Sequence, residues 1–165
     1  MTKLKRSTTS TALAGEFAVL SQLALQEYDA NLTLGNTKNV DILVSIPEGK
    51  LFRLEVKTSF NKPSRSKDFG YCLSWRMDKK HEKIKDSNLF YCFVNIAGEG
   101  NLFTFYIVPS RVVAKYVADQ HKHYMKKHPG NKNTDTRVFR IGLETKGYKI
   151  RTPIYKKYKN KWGVK

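Results

Sequence analysis

Four side chains of this sequence have the types and spacing to do chemistry together: Glu16, Asp41, Glu55 and Lys57. Three of them fall in one stretch, NVDILVSIPEGKLFRLEVKT, residues 39–58. Its second half, LFRLEVKT, alternates, so Phe52, Leu54 and Val56 share one face of a strand and Arg53, Glu55 and Lys57 share the other. Pro47-Glu48-Gly49 suits a tight reversal, which makes the stretch a hairpin. A hairpin symmetric about Glu48 sets Asp41 directly opposite Glu55. Facing carboxylates repel and destabilise a strand pair, and a cation between them reverses the sign. The pair therefore reads as half of a divalent-metal site with the Lys57 ammonium beside it. The competing reading is a solvated salt-bridge pattern, because a motif this short is a hypothesis until its structural context supports it.

These residues need a frame. Ser10 or Thr11 can cap a helix that runs to about Tyr28. Leu13, Phe17, Leu20 and Ala24 recur along it at helical spacing, with Leu23 adjoining. Glu16 falls inside that stripe, and a carboxylate on the buried edge of a helix needs a partner, for which a nearby lysine is the plain reading. Strands are expected at 31–34, 71–75, 89–96, 102–108 and 137–143 from runs of strand-forming residues between turn signals. Residues 61–68 read as a polar, basic loop and 76–87 as a charge-dense, solvated helix or loop. Pro109-Ser110 opens a second helix with Val112, Val113, Tyr116 and Val117 as its apolar side. This order predicts an α/β or α+β fold with a mixed central sheet flanked by helices.

At 165 residues, 40% of them apolar and with 9 Phe, 9 Tyr and 2 Trp, the chain supports one domain over 1–165, closing on a basic segment from about 145 to 165. The 31 Lys and Arg against 14 Asp and Glu leave a net charge of +17. Such an excess calls for a polyanionic partner, nucleic acid first and an acidic membrane surface second. No apolar run approaches the length of a membrane span, and MTKLKRSTTS lacks the apolar core of a signal peptide, so a cytoplasmic location is expected. Cys72 and Cys92 form no close-spaced redox or metal motif and read as buried, reduced thiols. The spacing of His121, His123 and His128 does not place them on one helical face, which argues against zinc.

Glu16 on a helix, Asp41 on one strand and Glu55-x-Lys57 on the next resemble the PD-(D/E)XK nuclease superfamily, which includes type II restriction enzymes, archaeal Holliday-junction resolvases and some homing endonucleases. The proline that precedes the aspartate in that family is Val40 here. The resemblance covers about the first 60 residues well and the rest loosely. It implies a restriction-endonuclease-like α/β core and Mg²⁺-dependent hydrolysis of DNA phosphodiester bonds, with Mn²⁺ able to substitute. It further implies that Asp41, Glu55 and the backbone carbonyl of Val56 hold the metal. Glu16 would join through water or at a second metal, and Lys57 would orient or deprotonate the attacking water or neutralise the phosphate. Mg²⁺ is a hard ion that takes oxygen ligands and keeps several waters, which suits two carboxylates and a carbonyl. A homodimer is expected, because cutting both strands of a duplex calls for two sites.

The DNA-contact candidates are Lys62, Arg65 and Lys67 in the basic loop and Arg76, Lys79 and Lys80 in the charge-dense segment. Thr58 and Ser59 can bond a phosphate or cap a strand end. The closing segment interleaves Tyr148, Tyr155, Tyr158 and Trp162 with lysines. Its aromatics are expected to pack on the core, with Ile154, Tyr158 and Trp162 on one side of a C-terminal helix, and part of its charge to face nucleic acid. A non-catalytic nucleic-acid-binding module and an RNA-processing nuclease are the alternatives.

Overall fold

The computed structural model describes residues 7–33, 40–46 and 49–163. Pro47-Glu48 of the hairpin turn and the start of the 39–58 stretch at Asn39 lie outside them. Helix α1, Thr8–Leu25, starts earlier than expected because Ser7 is its N-cap, its side chain accepting from Ser10 N–H at 2.9 Å. It also ends before Tyr28, at Leu25.

A five-stranded sheet follows, in the order β1-β2-β3-β6-β7. Its strands are β1 (Asp29–Leu32), β2 (Ile42–Ser45), β3 (Leu51–Ser59), β6 (Leu89–Ala97) and β7 (Leu102–Pro109). All neighbours are antiparallel except β3 and β6, which run parallel with Glu55 against Tyr91. A parallel pair needs a crossover, and the chain between them supplies it by building part of a second sheet. That sheet, β4-β5-β8, holds β4 (Ser64–Ser66), β5 (Gly70–Asp78) and β8 (Thr136–Gly142). The second sheet is a departure from the single sheet expected. So is β4 inside the supposed loop, and so is β5, which runs through Trp75 to Asp78 before a 3₁₀ turn at Lys79–Glu82. Helix α2, Ser110–Lys127, opens at Pro109-Ser110 as expected.

The five-stranded sheet is the middle layer. On one face Phe52, Leu54, Val56, Cys92 and Val94 pack under Val19 and Leu23 of α1, with Trp162 beside them. On the other, Tyr91 and Phe93 pack against Trp75 and Phe139 of the second sheet and Val113, Tyr116 and Val117 of α2. The alternation read in β3 is thus realised: its odd-numbered polar residues share the face of Tyr91 and Phe93. The stripe read in α1 is realised only in part, with Leu20 and Leu23 packed on the core. Leu13 and Phe17 are exposed, and the buried line is Gly15, Val19 and Leu23. The C-terminal helix shrinks to α3, Tyr155–Tyr158, although Tyr158 and Trp162 are buried as expected. Cys72 and Cys92 are buried and unpaired.

Candidate active site

Asp41 sits one residue before β2. The β2–β3 register, Ile42 against Leu54, centres on position 48 as the symmetry argument requires. At Asp41 the pairing leaves the ladder: its backbone N–H donates to the Leu54 carbonyl at 2.8 Å, and its Oδ2 accepts from the Val56 N–H at 2.7 Å. Asp41 therefore brackets Glu55 by gripping the residues on either side of it. Burial is the main reason its carboxyl is raised above the ordinary aspartate range, and the charge of Glu55 adds to it. The Val56 N–H, Lys57 and Lys80 pull the other way.

Glu55 is 2% exposed. Its Oε1 takes the Lys57 Nζ at 2.6 Å and lies 3.6 Å from His81 Nε2. Its Oε2 is buried with no hydrogen-bond partner. An orphaned carboxylate oxygen in the interior is costly, so this atom is where the site fits a cation. Glu16 arrives from the other face of the sheet. It is raised by burial first and by the negative charge of Asp41 second, with Lys57 opposing. The four side chains picked out by spacing thus interact with one another through space. Among the described residues no group of three or more His, Cys, Asp or Glu side chains forms a metal cage. The donors present are the Asp41 and Glu55 carboxylates, with Glu16 within electrostatic reach of Asp41, and oxygens of this kind suit a hard divalent cation.

Beside Lys57 lies a cavity of about 270 Å³ lined by Lys57, Arg76, Met77, Asp78, His81 and Thr136. Arg76 donates to Thr136 Oγ1 at 3.3 Å. Lys79 and Lys80 are exposed on the 3₁₀ turn above it. The structure thus brings Lys80 within electrostatic reach of Asp41 and sets Arg76 in the cavity beside Lys57. Lys62, Arg65 and Lys67 are exposed but belong to the start of the second sheet, where Arg65 pairs with Tyr71 in register while Arg76 is five residues further along β5. Arg65 is also held by Glu144 at 3.1 Å and lies over the Tyr71 ring. Thr58 does not face a phosphate: its hydroxyl is buried under Gly15.

Three features escaped the sequence reading. His81, 1% exposed, donates or accepts through Nδ1 at 2.7 Å from the buried Tyr91 hydroxyl. Burial holds its pKa below the ordinary histidine value against the pull of Glu55, which leaves the ring neutral. Gly15 lets α1 lie flush on β3, since a Cβ there would stand 1.7 Å from Thr58 Oγ1. A groove of about 1230 Å³ runs between α2 and the closing segment, lined by seven Lys and Arg, among them Lys122, Lys126, Lys149 and Arg151, against two acids, Glu82 and Asp119. The register of β3 on β6 is the signal that would have exposed Tyr91; Gly15 and the groove needed the helix placements.

No protein-family model matches the sequence, and no curated protein matches it either. A solved structure does match: that of the bacterial homing endonuclease I-Ssp6803I, with a TM-score of 0.56 over 96% of this chain and 93% of that one, at 16% identity. The chain shares that protein's fold. No helix among the described residues is long and apolar enough to cross a membrane.

Proposed function

We propose that this protein is a Mg²⁺-dependent DNA endonuclease with a PD-(D/E)XK-type site. The observation that carries the reading is the meeting of Asp41 and Lys57 at Glu55, whose Oε2 has no hydrogen-bond partner, next to a cavity lined by Arg76 and Lys57. The fold shared with a homing endonuclease supports it. Asp41, Glu55 and the Val56 carbonyl would hold the ion, with Glu16 joining through water. Bound Mg²⁺ supplies Lewis-acid polarisation of a phosphoryl oxygen.

The chain's own residues do the rest. Asp41 and Glu55 fix two negative charges that a divalent ion would balance. Lys57, held by Glu55, presents a positively charged donor toward the cavity, where it orients the attacking water or offsets charge on the phosphate. Arg76 and Lys80 draw the phosphate backbone toward the acids, which alone would repel it. We further propose that two copies act together on a duplex, which light scattering with and without DNA would test. Monomer in both conditions counts against it.

The deciding experiment is a cleavage screen with Mg²⁺ and Mn²⁺ over plasmid, four-way junction, flap, single-stranded DNA and RNA. Metal-dependent cutting that EDTA stops is expected. Intact substrates throughout, with DNA still bound, would replace this reading with a binding module. Preference for RNA would turn it into an RNA-processing nuclease.

A further inference from the structure

We infer that His81 is a positioning residue for Glu55, with its ring held in place by the Tyr91 hydroxyl. This inference rests on the metal-site reading above. Glu55 and Tyr91 are opposite each other on the parallel strands β3 and β6. The 3₁₀ turn folds His81 over both of them, with its ring edge-on to the Tyr91 ring at 5.5 Å. All three side chains are buried. The His81 ring touches Tyr91 oxygen through Nδ1 at 2.7 Å and faces Glu55 Oε1 through Nε2 at 3.6 Å.

Two tautomers are available, and the partners choose between them. A proton on Nδ1 would aim the Nε2 lone pair at a carboxylate oxygen, which repels it. A proton on Nε2 points a donor at Oε1 while Nδ1 accepts from the tyrosine hydroxyl; that hydroxyl can donate or accept and also reaches Glu55, so the choice falls to the contact between Nε2 and Oε1. The 3.6 Å separation makes Nε2–H an electrostatic contact rather than a full hydrogen bond. Lys57 holds the same Oε1 at 2.6 Å. With two positive ends on Oε1, Oε2 is the oxygen left free for a cation. Outer partners of this kind typically change metal affinity or activity by about 10–100-fold when removed.

The test uses His81→Asn, His81→Gln and Tyr91→Phe in the full chain. A glutamine amide can place an N–H where Nε2 stood; an asparagine amide reaches only the Nδ1 position. Mn²⁺ binding by calorimetry without DNA should weaken by about tenfold or more in His81→Asn and within about threefold in His81→Gln, with melting temperatures alike in the two variants. Nitrogen-15 NMR of wild type should show the Nε2–H tautomer at His81, and Tyr91→Phe should keep it, because Glu55 still faces Nε2. Wild-type Mn²⁺ affinity in His81→Asn, an Nδ1–H tautomer in wild type, or equal losses in both variants with equally lowered melting temperatures would each overturn the inference. A wild-type protein that binds no Mn²⁺ and cuts no DNA overturns the nuclease reading and this inference with it. Wild type that binds and cuts, matched by His81→Asn, overturns this inference alone.

Discussion

At Lys57 the ammonium stands 2.6 Å from a carboxylate that is almost wholly buried, while its own side chain keeps 30% of its exposure. It has lost part of its water without losing its counter-charge, which holds it in one place at the cavity mouth. Removing a donor so placed costs about 10²–10⁴-fold in rate for groups that move or orient protons. Lys57→Ala should lose at least about 100-fold in plasmid cleavage with its melting temperature near that of wild type. Nicking at the wild-type rate would sink the site assignment. The raised Asp41 and Glu16 carry a second expectation. Both take up protons at a higher pH than solvated carboxylates, and a cation must displace those protons. The Mg²⁺ concentration for half-maximal cleavage should therefore climb as pH falls from 7 toward 5. Folding has the opposite sense. The native state holds these protons more tightly than the unfolded chain, so these groups favour the metal-free fold at low pH and lose that contribution as pH rises through the window between unfolded and folded values. Added Mg²⁺ should then raise the melting temperature more at pH 7.5 than at pH 5. Equal increments at both would show that Asp41 and Glu16 do not share the ion. Asp41→Asn, which removes a charge that repels phosphate, should bind DNA more tightly than wild type in EDTA, as filter binding would read.

Among the elements, α1 is the one whose seating decides the site, because it alone carries Glu16. Its contact with β3 is made at a residue with no side chain. A methyl at Gly15 would meet Thr58 Oγ1 at 1.7 Å and its Cβ at 2.8 Å, atoms of a β-branched residue on a rigid strand. The helix must lift instead. Gly15→Ala should cost about 1–3 kcal/mol by overpacking and, by moving Glu16, lower cleavage more than the loss of stability explains. Denaturant unfolding beside a cleavage assay would check it, and a variant of wild-type stability and rate would show that α1 is loosely held. This contact also explains why the buried face of α1 was read only in part. A hydrophobic pattern counts large apolar side chains, so it found Leu13 and Phe17, both exposed, and passed over a glycine that makes the closest approach. Strand β3 was legible because its alternation is strict and both of its faces are covered. In β5 the outward residues Arg76 and Asp78 hid the inward Met77, so the strand seemed to end at Trp75. His81 was illegible for another reason: its partners Tyr91 and Glu55 meet only through a parallel pairing across a crossover, and nothing local encodes that.

For the molecule as a whole, the surplus of +17 is not spread evenly. Among the described residues, one concentration lies beside Asp41 and Glu55 through Lys57, Lys80 and the cavity's Arg76, and a second is the groove between α2 and the closing segment, which Lys149 and Arg151 join from the tail. The two meet at the 3₁₀ turn, where His81 lines the cavity and Glu82 lines the groove. Glu82 is partly neutralised there by the buried Arg137, so it subtracts little from the groove's field. Each lysine or arginine that contacts a phosphate releases counterions, and log K falls against log salt with a slope of about −0.9 per contact. Neutralising two groove lysines, Lys122→Ala with Lys126→Ala, should therefore flatten the slope by about 2 and weaken DNA binding at low salt. The cleavage rate at saturating DNA should stay unchanged, since neither residue touches the acids. Neutralising Lys80 should flatten the slope by about 1 and also alter the rate, because its charge acts on Asp41. Salt titrations of binding in Ca²⁺, paired with single-turnover cleavage in Mg²⁺, separate the two effects. An unchanged slope in the groove variant would confine the DNA path to the cavity side of the turn and leave the groove's charge as solvated surface.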